Sequence, residues 1–126
     1  MNVRDGLKSK EQPFALITGA SKRVGKVIAQ AVATQGYVVG LHYFHGDKAA
    51  REMAFELQES GISVELLQAD LRDVQAIQAM YKRIAELPYR FRLLVNSAAV
   101  MMRADLIDME VTDWDDTFSL NLRAPW

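Results

Sequence analysis

The chain has no cysteine. That excludes disulfides and thiolate-held zinc, and it fits a reducing compartment without requiring one. Histidine is nearly as scarce. His42 and His45 are the only two, too few for a metal site when no carboxylate or cysteine cluster stands beside them. Neither sign of charge dominates: 15 Lys and Arg face 16 Asp and Glu, a net charge of −1. Such a balance offers no basic field to nucleic acid or to an anionic membrane, so neither is an expected partner. No apolar run approaches the roughly 18 residues that a membrane span needs. Residues 1–12 are polar and mixed in charge, which reads as a flexible leader and not as a signal peptide. The expected setting is cytoplasmic. Repeats and low-complexity stretches are also absent.

What remains is an ordinary globular composition, half hydrophobic and a quarter charged over 126 residues, enough for one domain or part of one. Short apolar runs alternate with helical patterns. Phe14-Ala-Leu-Ile17 reads as a buried strand ending at Thr18-Gly19. Residues 23–35 place Val24, Val27, Ile28, Ala31 and Val32 on one helical stripe, stopped by Gly36. Residues 37–41 read as a second strand. Asp47 is placed to cap a helix whose inner face is Ala50, Met53, Ala54 and Leu57. Residues 62–68 form a third strand. Asp73 caps a helix carrying Val74, Ile77, Tyr81 and Ile84 that ends near Pro88. Residues 91–96 are a fourth strand, and Thr112-x-x-Asp115 resembles a capping box before a last helix through Trp114, Phe118 and Leu122. The order β-α-β-α-β-α-β-α implies right-handed crossovers and a parallel sheet, the first half of a doubly wound α/β fold. By rhythm alone a flavodoxin-like sheet fits equally well.

The motifs discriminate. Strand one runs into Thr18-Gly19-Ala-Ser-Lys-Arg-Val-Gly25. Gly19 lets the chain turn, Gly25 lets the helix approach closely, and the helix N-terminus offers free N–H groups to a pyrophosphate. A triphosphate-binding loop fits poorly. Five residues separate the two glycines where that motif has four, and Val27 stands where it needs Ser or Thr for magnesium.

The glycine turn resembles the TGxxxGxG turn of the short-chain dehydrogenase/reductase family, with Arg23 at the middle glycine. That departure is typical of its pteridine reductase-like branch. Three further segments resemble family motifs in the same order. Ala69-Asp70-Leu71 is similar to the adenine-contacting segment. Asn96-Ser-Ala-Ala99 is similar to the NNAG turn, departing at Ser97 and Ala99. Asn121 falls at the active-site Asn. The resemblance covers residues 14–125 and implies a Rossmann-type doubly wound sheet over residues 13–126. A regulatory α/β domain without nucleotide fits four motifs in register badly.

The resemblance assigns roles. Gly19, Ser21, Lys22, Arg23 and Val24 would line the pyrophosphate and a 2′-phosphate. Tyr43 and His45 would flank the adenosine ribose, and Asp70 and Leu71 would meet the adenine. Asn96 and Ala98 would border the nicotinamide-side ribose, and Asn121 would hold a water chain feeding a proton relay. Between cofactors, NADP(H) is favoured over NAD(H). An NAD site wants an acid near the end of strand two, and the first acid there is Asp47, which reads as a helix cap. Lys22 and Arg23, with His45 and Lys48 as weaker candidates, suit a 2′-phosphate.

The family's catalytic Tyr, the Lys four residues after it and the upstream Ser have no counterpart here. Tyr37, Tyr43, Tyr81 and Tyr89 are followed four residues on by Leu41, Asp47, Ala85 and Leu93. The resemblance places the missing groups after the helix of Asn121, beyond Trp126. The expectation is therefore the cofactor-holding, N-terminal half of a reductase of about twice this length. Its substrate would be a small carbonyl or pteridine-like molecule, Met101 and Met102 could edge the pocket, and the complete protein would be a homo-oligomer. The alternative is an inactive half-domain that holds a dinucleotide and does no chemistry.

Overall fold

The computed structural model describes residues 11–126. The expected leader therefore lies outside the described residues except for Glu11 and Gln12. The Gln12 carbonyl accepts from the Arg90 amide at 2.9 Å.

Four strands form one parallel sheet: β1 (Pro13–Ile17), β2 (Val38–Tyr43), β3 (Val64–Gln68) and β4 (Arg90–Val95), in the order β3-β2-β1-β4. Helices α1 (Arg23–Ala33), α2 (Asp47–Glu59) and α3 (Val74–Glu86) make the crossovers, and α4 (Val111–Phe118) follows β4. Because strand side chains alternate, β1 serves two cores. Ala15 and Ile17 pack with Val39, Leu41, Ala29 and Met53 under α1 and α2. Phe14 and Leu16 pack with Val38, Leu67, Met80 and Ile84 under α3. The sheet is thus covered on both faces, which is the doubly wound arrangement expected. Phe14 fills the space that a side chain at Gly40 would need, since a Cβ there would lie 2.4 Å from its ring.

Several local expectations are corrected. The buried face of α1 is Gly25, Ala29 and Ala33, with Val24 and Val27 exposed at 67% and 64%. Of the apolar stripe read from the sequence, Ile28 and Val32 are half-buried against the core, while Val24, Val27 and Ala31 are exposed. Small residues four apart let this helix sit close to the sheet, and closeness outweighs bulk there. On α3 the buried residues are Met80 and Ile84, while Val74 and Tyr81 are largely exposed. Strand β2 runs two residues further than expected, which makes His42 and Tyr43 buried strand residues. Gly46, at φ +81°, is the N-cap of α2, and Asp47 is its first residue with a side chain turned to other partners. The α4 capping box pairs Glu110 with Asp113, not Thr112 with Asp115. Finally, α4 does not continue as a regular helix: residues Ser119–Arg123 widen into a π-helical turn, with Ala124 N–H bonding the Ser119 carbonyl at 2.9 Å. Asp73 caps α3 as expected, accepting from Gln75 N–H at 2.9 Å.

Candidate functional site

The strand order reverses direction between β1 and β4, so the loops leaving these two strands diverge and open a crevice at the carboxyl ends of the sheet. A cleft of about 580 Å³ lies there. Its walls come from the segments that follow all four strands, with Asp116 and Leu120 closing it from the α4 side.

The turn after β1 is the floor. Thr18 N–H bonds the Val95 carbonyl at 3.0 Å, and Ala20 N–H bonds the His42 carbonyl at 2.9 Å. Gly19, at φ +61°, donates its N–H to His42 Nδ1 at 3.0 Å. His42 Nε2 stands 2.9 Å from the Ala69 carbonyl. Since that carbonyl can only accept, the proton sits on Nε2 and the ring is neutral. Burial pushes the His42 imidazole below its ordinary 6.5, and the Ala69 bond opposes this only in part. One buried side chain therefore ties the glycine turn to the ends of both β2 and β3.

Thr18 does the same towards β4. Its Oγ1 accepts from the Ser97 and Ala98 amides, each at 3.0 Å, and donates to the Val95 carbonyl at 3.4 Å. That anchor brings the β4 loop against Gly19, where a Cβ would lie 3.0 Å from Ala98 Cα. Replacing Thr18 by Val keeps the shape and removes all three bonds. A loss of about 2–3 kcal/mol is expected, because two inward amides lose their acceptor. Urea unfolding checks this, and a loss under about 0.5 kcal/mol would count against the anchoring role.

The N-terminus of α1 opens onto the cleft with no side-chain cap and no acid in its first turn. Its partial positive charge is thus uncompensated by the protein and suits an anionic group. Lys22 and Arg23 flank it and line the cleft. Arg23 has φ +50°, a left-handed conformation unusual for a residue with a side chain. Lys22 reaches over the β2–α2 turn, so that a Cβ at Gly46 would lie 3.1 Å from its Nζ. The acid that follows this turn in sequence is engaged elsewhere. Asp47 accepts from Arg51 Nε at 2.7 Å and from the Tyr43 hydroxyl at 2.8 Å, and these bonds hold its carboxyl below the usual range.

The structure gathers most of the sequence-selected residues around this cleft. Gly19, Lys22, Arg23 and Val24 line it from the turn, His45 from the end of β2, Asp70 and Leu71 from the end of β3, and Ala98 from the β4 loop. Four others stand apart from its walls. Ser21 is buried in the turn. Tyr43 lies in the α1–α2 core, hydrogen-bonded to Asp47. Asn96 borders a separate small cavity beside Leu71 and Ile77. Asn121, in the π turn, brackets Val100: its Oδ1 accepts from the Val100 amide at 2.9 Å and its Nδ2 donates to the Val100 carbonyl at 2.7 Å. One amide hydrogen and one lone pair of Asn121 remain for other partners.

Sequence reasoning passed over Thr18, His42, Phe44 and Arg72. The first two carry their roles through bonds to backbone groups distant in sequence, for which no local pattern exists. A histidine inside an apolar strand was the one available signal. Among the described residues no group of three or more His, Asp or Glu is placed to hold a metal, and no helix is long and apolar enough to cross a membrane.

Comparison with known proteins matches residues 13–126 to the short chain dehydrogenase family. A 3-oxoacyl-[acyl-carrier-protein] reductase, FabG, of Staphylococcus aureus is 31% identical over 110 residues, which are 87% of this chain and 45% of that protein. The crystal structure of a short chain dehydrogenase from Burkholderia cenocepacia in complex with NADP is similar at a TM-score of 0.85 and 30% identity, over 91% of this chain and 47% of that one. FolM alternative dihydrofolate reductase 1 from Brucella canis, complexed with NADP, is similar at a TM-score of 0.80 and 27% identity, over 90% and 44%. The chain spans about half the length of the relatives it matches.

Proposed function

This chain belongs to the short-chain dehydrogenase family, and from that premise we propose that it is the dinucleotide-holding part of an NADP(H)-dependent reductase. The observation that carries the cofactor choice is the charge at the end of β2. Asp47, at the start of α2, is engaged by Arg51 and Tyr43, and Asp70, across from it at the end of β3, is paired with Arg72, while Lys22, Arg23 and His45 line the adjoining wall. A ribose 2′-OH would find no unpaired carboxylate at the end of β2, whereas a 2′-phosphate would find cations. The uncapped start of α1 suits the pyrophosphate. NADP bound to two structurally similar proteins supports the same reading.

When bound, NADPH supplies the hydride. The residues of this chain hold and orient it. Gly19 and Gly25 let the turn approach the phosphates, Lys22 and Arg23 neutralise the 2′-phosphate, and Asp70 and Leu71 receive the base. Ala98 borders the nicotinamide-side ribose. Asn121, with one N–H and one lone pair free, holds a water for the proton relay. Proton donation falls to a Ser, Tyr and Lys supplied outside these residues. The substrate is a small carbonyl. A pteridine-like one is favoured by Arg23 at the family's middle glycine position and by the likeness to the Brucella reductase. The complete enzyme is a cytoplasmic homo-oligomer.

Arg23→Gly tests this reading. Glycine adopts φ +50° freely, so the variant should unfold at higher denaturant, by about 1 kcal/mol. It also removes one charge-assisted contact. The KM for NADPH should rise about tenfold or more, and that for NADH should change little. Equal losses for both dinucleotides would refute the 2′-phosphate role.

A further inference from the structure

We infer that Arg72 is a positioning residue: it fixes the Asp70 carboxylate so that one lone pair is left for the amino group of adenine, and so makes the site selective for that base. This rests on the NADP(H) reading of the cleft. Arg72 surrounds Asp70. Its backbone N–H and its Nε both donate to Oδ1 at 3.0 Å, and one terminal nitrogen donates to Oδ2 at 3.0 Å. The other terminal nitrogen donates to Asp116 on α4 at 3.1 Å. The guanidinium carbon lies 5.5 Å from the centre of the Phe44 ring, and the Arg72 carbonyl accepts from Arg123. The guanidinium is thus held from the ends of β2 and β3 and from α4, and both Asp70 and Arg72 line the cleft.

A carboxylate has about four lone-pair directions. Arg72 fills three, two on Oδ1 and one on Oδ2, and the one left is on Oδ2. A free aspartate could turn either oxygen towards a ligand and offer any of these directions, because its terminal torsion is broad. The clamped one offers a single acceptor in a single direction. That matches one N–H donor, which adenine carries on its exocyclic nitrogen. Hypoxanthine carries a carbonyl oxygen at the same position and would set acceptor against acceptor.

The experiment measures Kd and KM of the full-length protein for NADPH and for its deamino analogue, nicotinamide hypoxanthine dinucleotide phosphate. The wild type should prefer NADPH by about tenfold, the worth of one such hydrogen bond. Arg72→Met keeps the length and the apolar cover over Phe44 but frees Asp70, and it should bring the preference to within about twofold of unity. Arg72→Lys, which restores charge without the planar fork, should not recover it. Asp70→Asn is the second variant, independent of whether Arg72→Met folds. It places an N–H where an acceptor stood, and the preference should vanish or reverse. A tenfold preference that survives in either Arg72→Met or Asp70→Asn overturns the inference. So does an Arg72→Met protein that weakens both dinucleotides equally, the signature of a merely structural brace. A wild type that binds NADPH without discrimination overturns it while leaving the cofactor reading intact. A wild type that binds neither NADPH nor NADH brings down that reading and this inference with it.

Discussion

Replacing Gly25 by alanine should abolish dinucleotide binding and destabilise the protein by about 3 kcal/mol or more, although alanine is the better helix former. Helix propensity alone predicts a gain of about 1 kcal/mol, because Gly25 sits in the first turn of α1. The contact decides the sign. A Cβ at this position would stand 2.1 Å from the Gly19 carbonyl oxygen and 2.8 Å from its carbon. These are backbone atoms, and the turn that carries them is tied to His42 and Val95. Neither side can yield by a rotamer change, so α1 must lift from the turn or the turn must leave its anchors. Both movements spoil the approach of the α1 N-terminus to a pyrophosphate. Gly36→Ala is the control. Its Cβ would meet nothing within 4 Å, and only its φ of +87° costs anything, about 1–2 kcal/mol with binding retained. Urea unfolding and an NADPH fluorescence titration of both variants check this. A Gly25→Ala protein with native affinity would mean that the close packing of α1 on the turn does not shape the site.

The contrast between these glycines shows where the sequence was legible. Gly19 and Gly25 could be read because a strand, a fixed spacing and a helix surround them. The alternation of apolar runs and helical patterns likewise carried the order of elements and the double winding of the sheet. The phase of α1 could not be read so simply. A stripe of Val and Ile looks like the buried face, yet only Ile28 and Val32 of it reach the core and Gly25, Ala29 and Ala33 are the fully buried line, because the depth of packing is set by the turn below and not by the helix itself. Asp47 was misjudged for a related reason. It precedes a helix, as a cap would, but Arg51 one turn on and the hydroxyl of Tyr43 compete for its carboxylate. Strand β2 runs far enough to bury Tyr43, and no local pattern reveals that. That Asp70 would stand in the cleft was legible. The clamp around it was not, since Arg72 gains its meaning from Phe44 and Asp116, 28 and 44 positions away.

His42 carries the second large effect, and its direction depends on pH. The side chain is buried and neutral, accepting from Gly19 and facing the Ala69 carbonyl. In the unfolded chain an imidazole titrates near 6.5. Burial lowers that value in the folded protein. As pH falls below about 6.5, the unfolded state takes up a proton that the folded state refuses, and unfolding becomes favoured. The contribution of His42 to stability is therefore fully present above about pH 6.5. It is lost between there and the lower folded-state value, with a slope approaching about 1.4 kcal/mol per pH unit. A proton on Nδ1 would also end the bond from Gly19, so acid should loosen the turn before the sheet. His42→Leu removes this dependence at a cost. The Gly19 amide loses its acceptor and the imidazole's volume is filled imperfectly, for a loss of about 3 kcal/mol at pH 7.5. The difference in stability between wild type and variant should then shrink as pH falls from 7 to 5. The only other histidine, His45, is exposed, so this shrinkage can be assigned to His42. Urea unfolding at a series of pH values measures it. A difference that stays constant or widens in acid would show that His42 is not the neutral tie between the turn and the two strands.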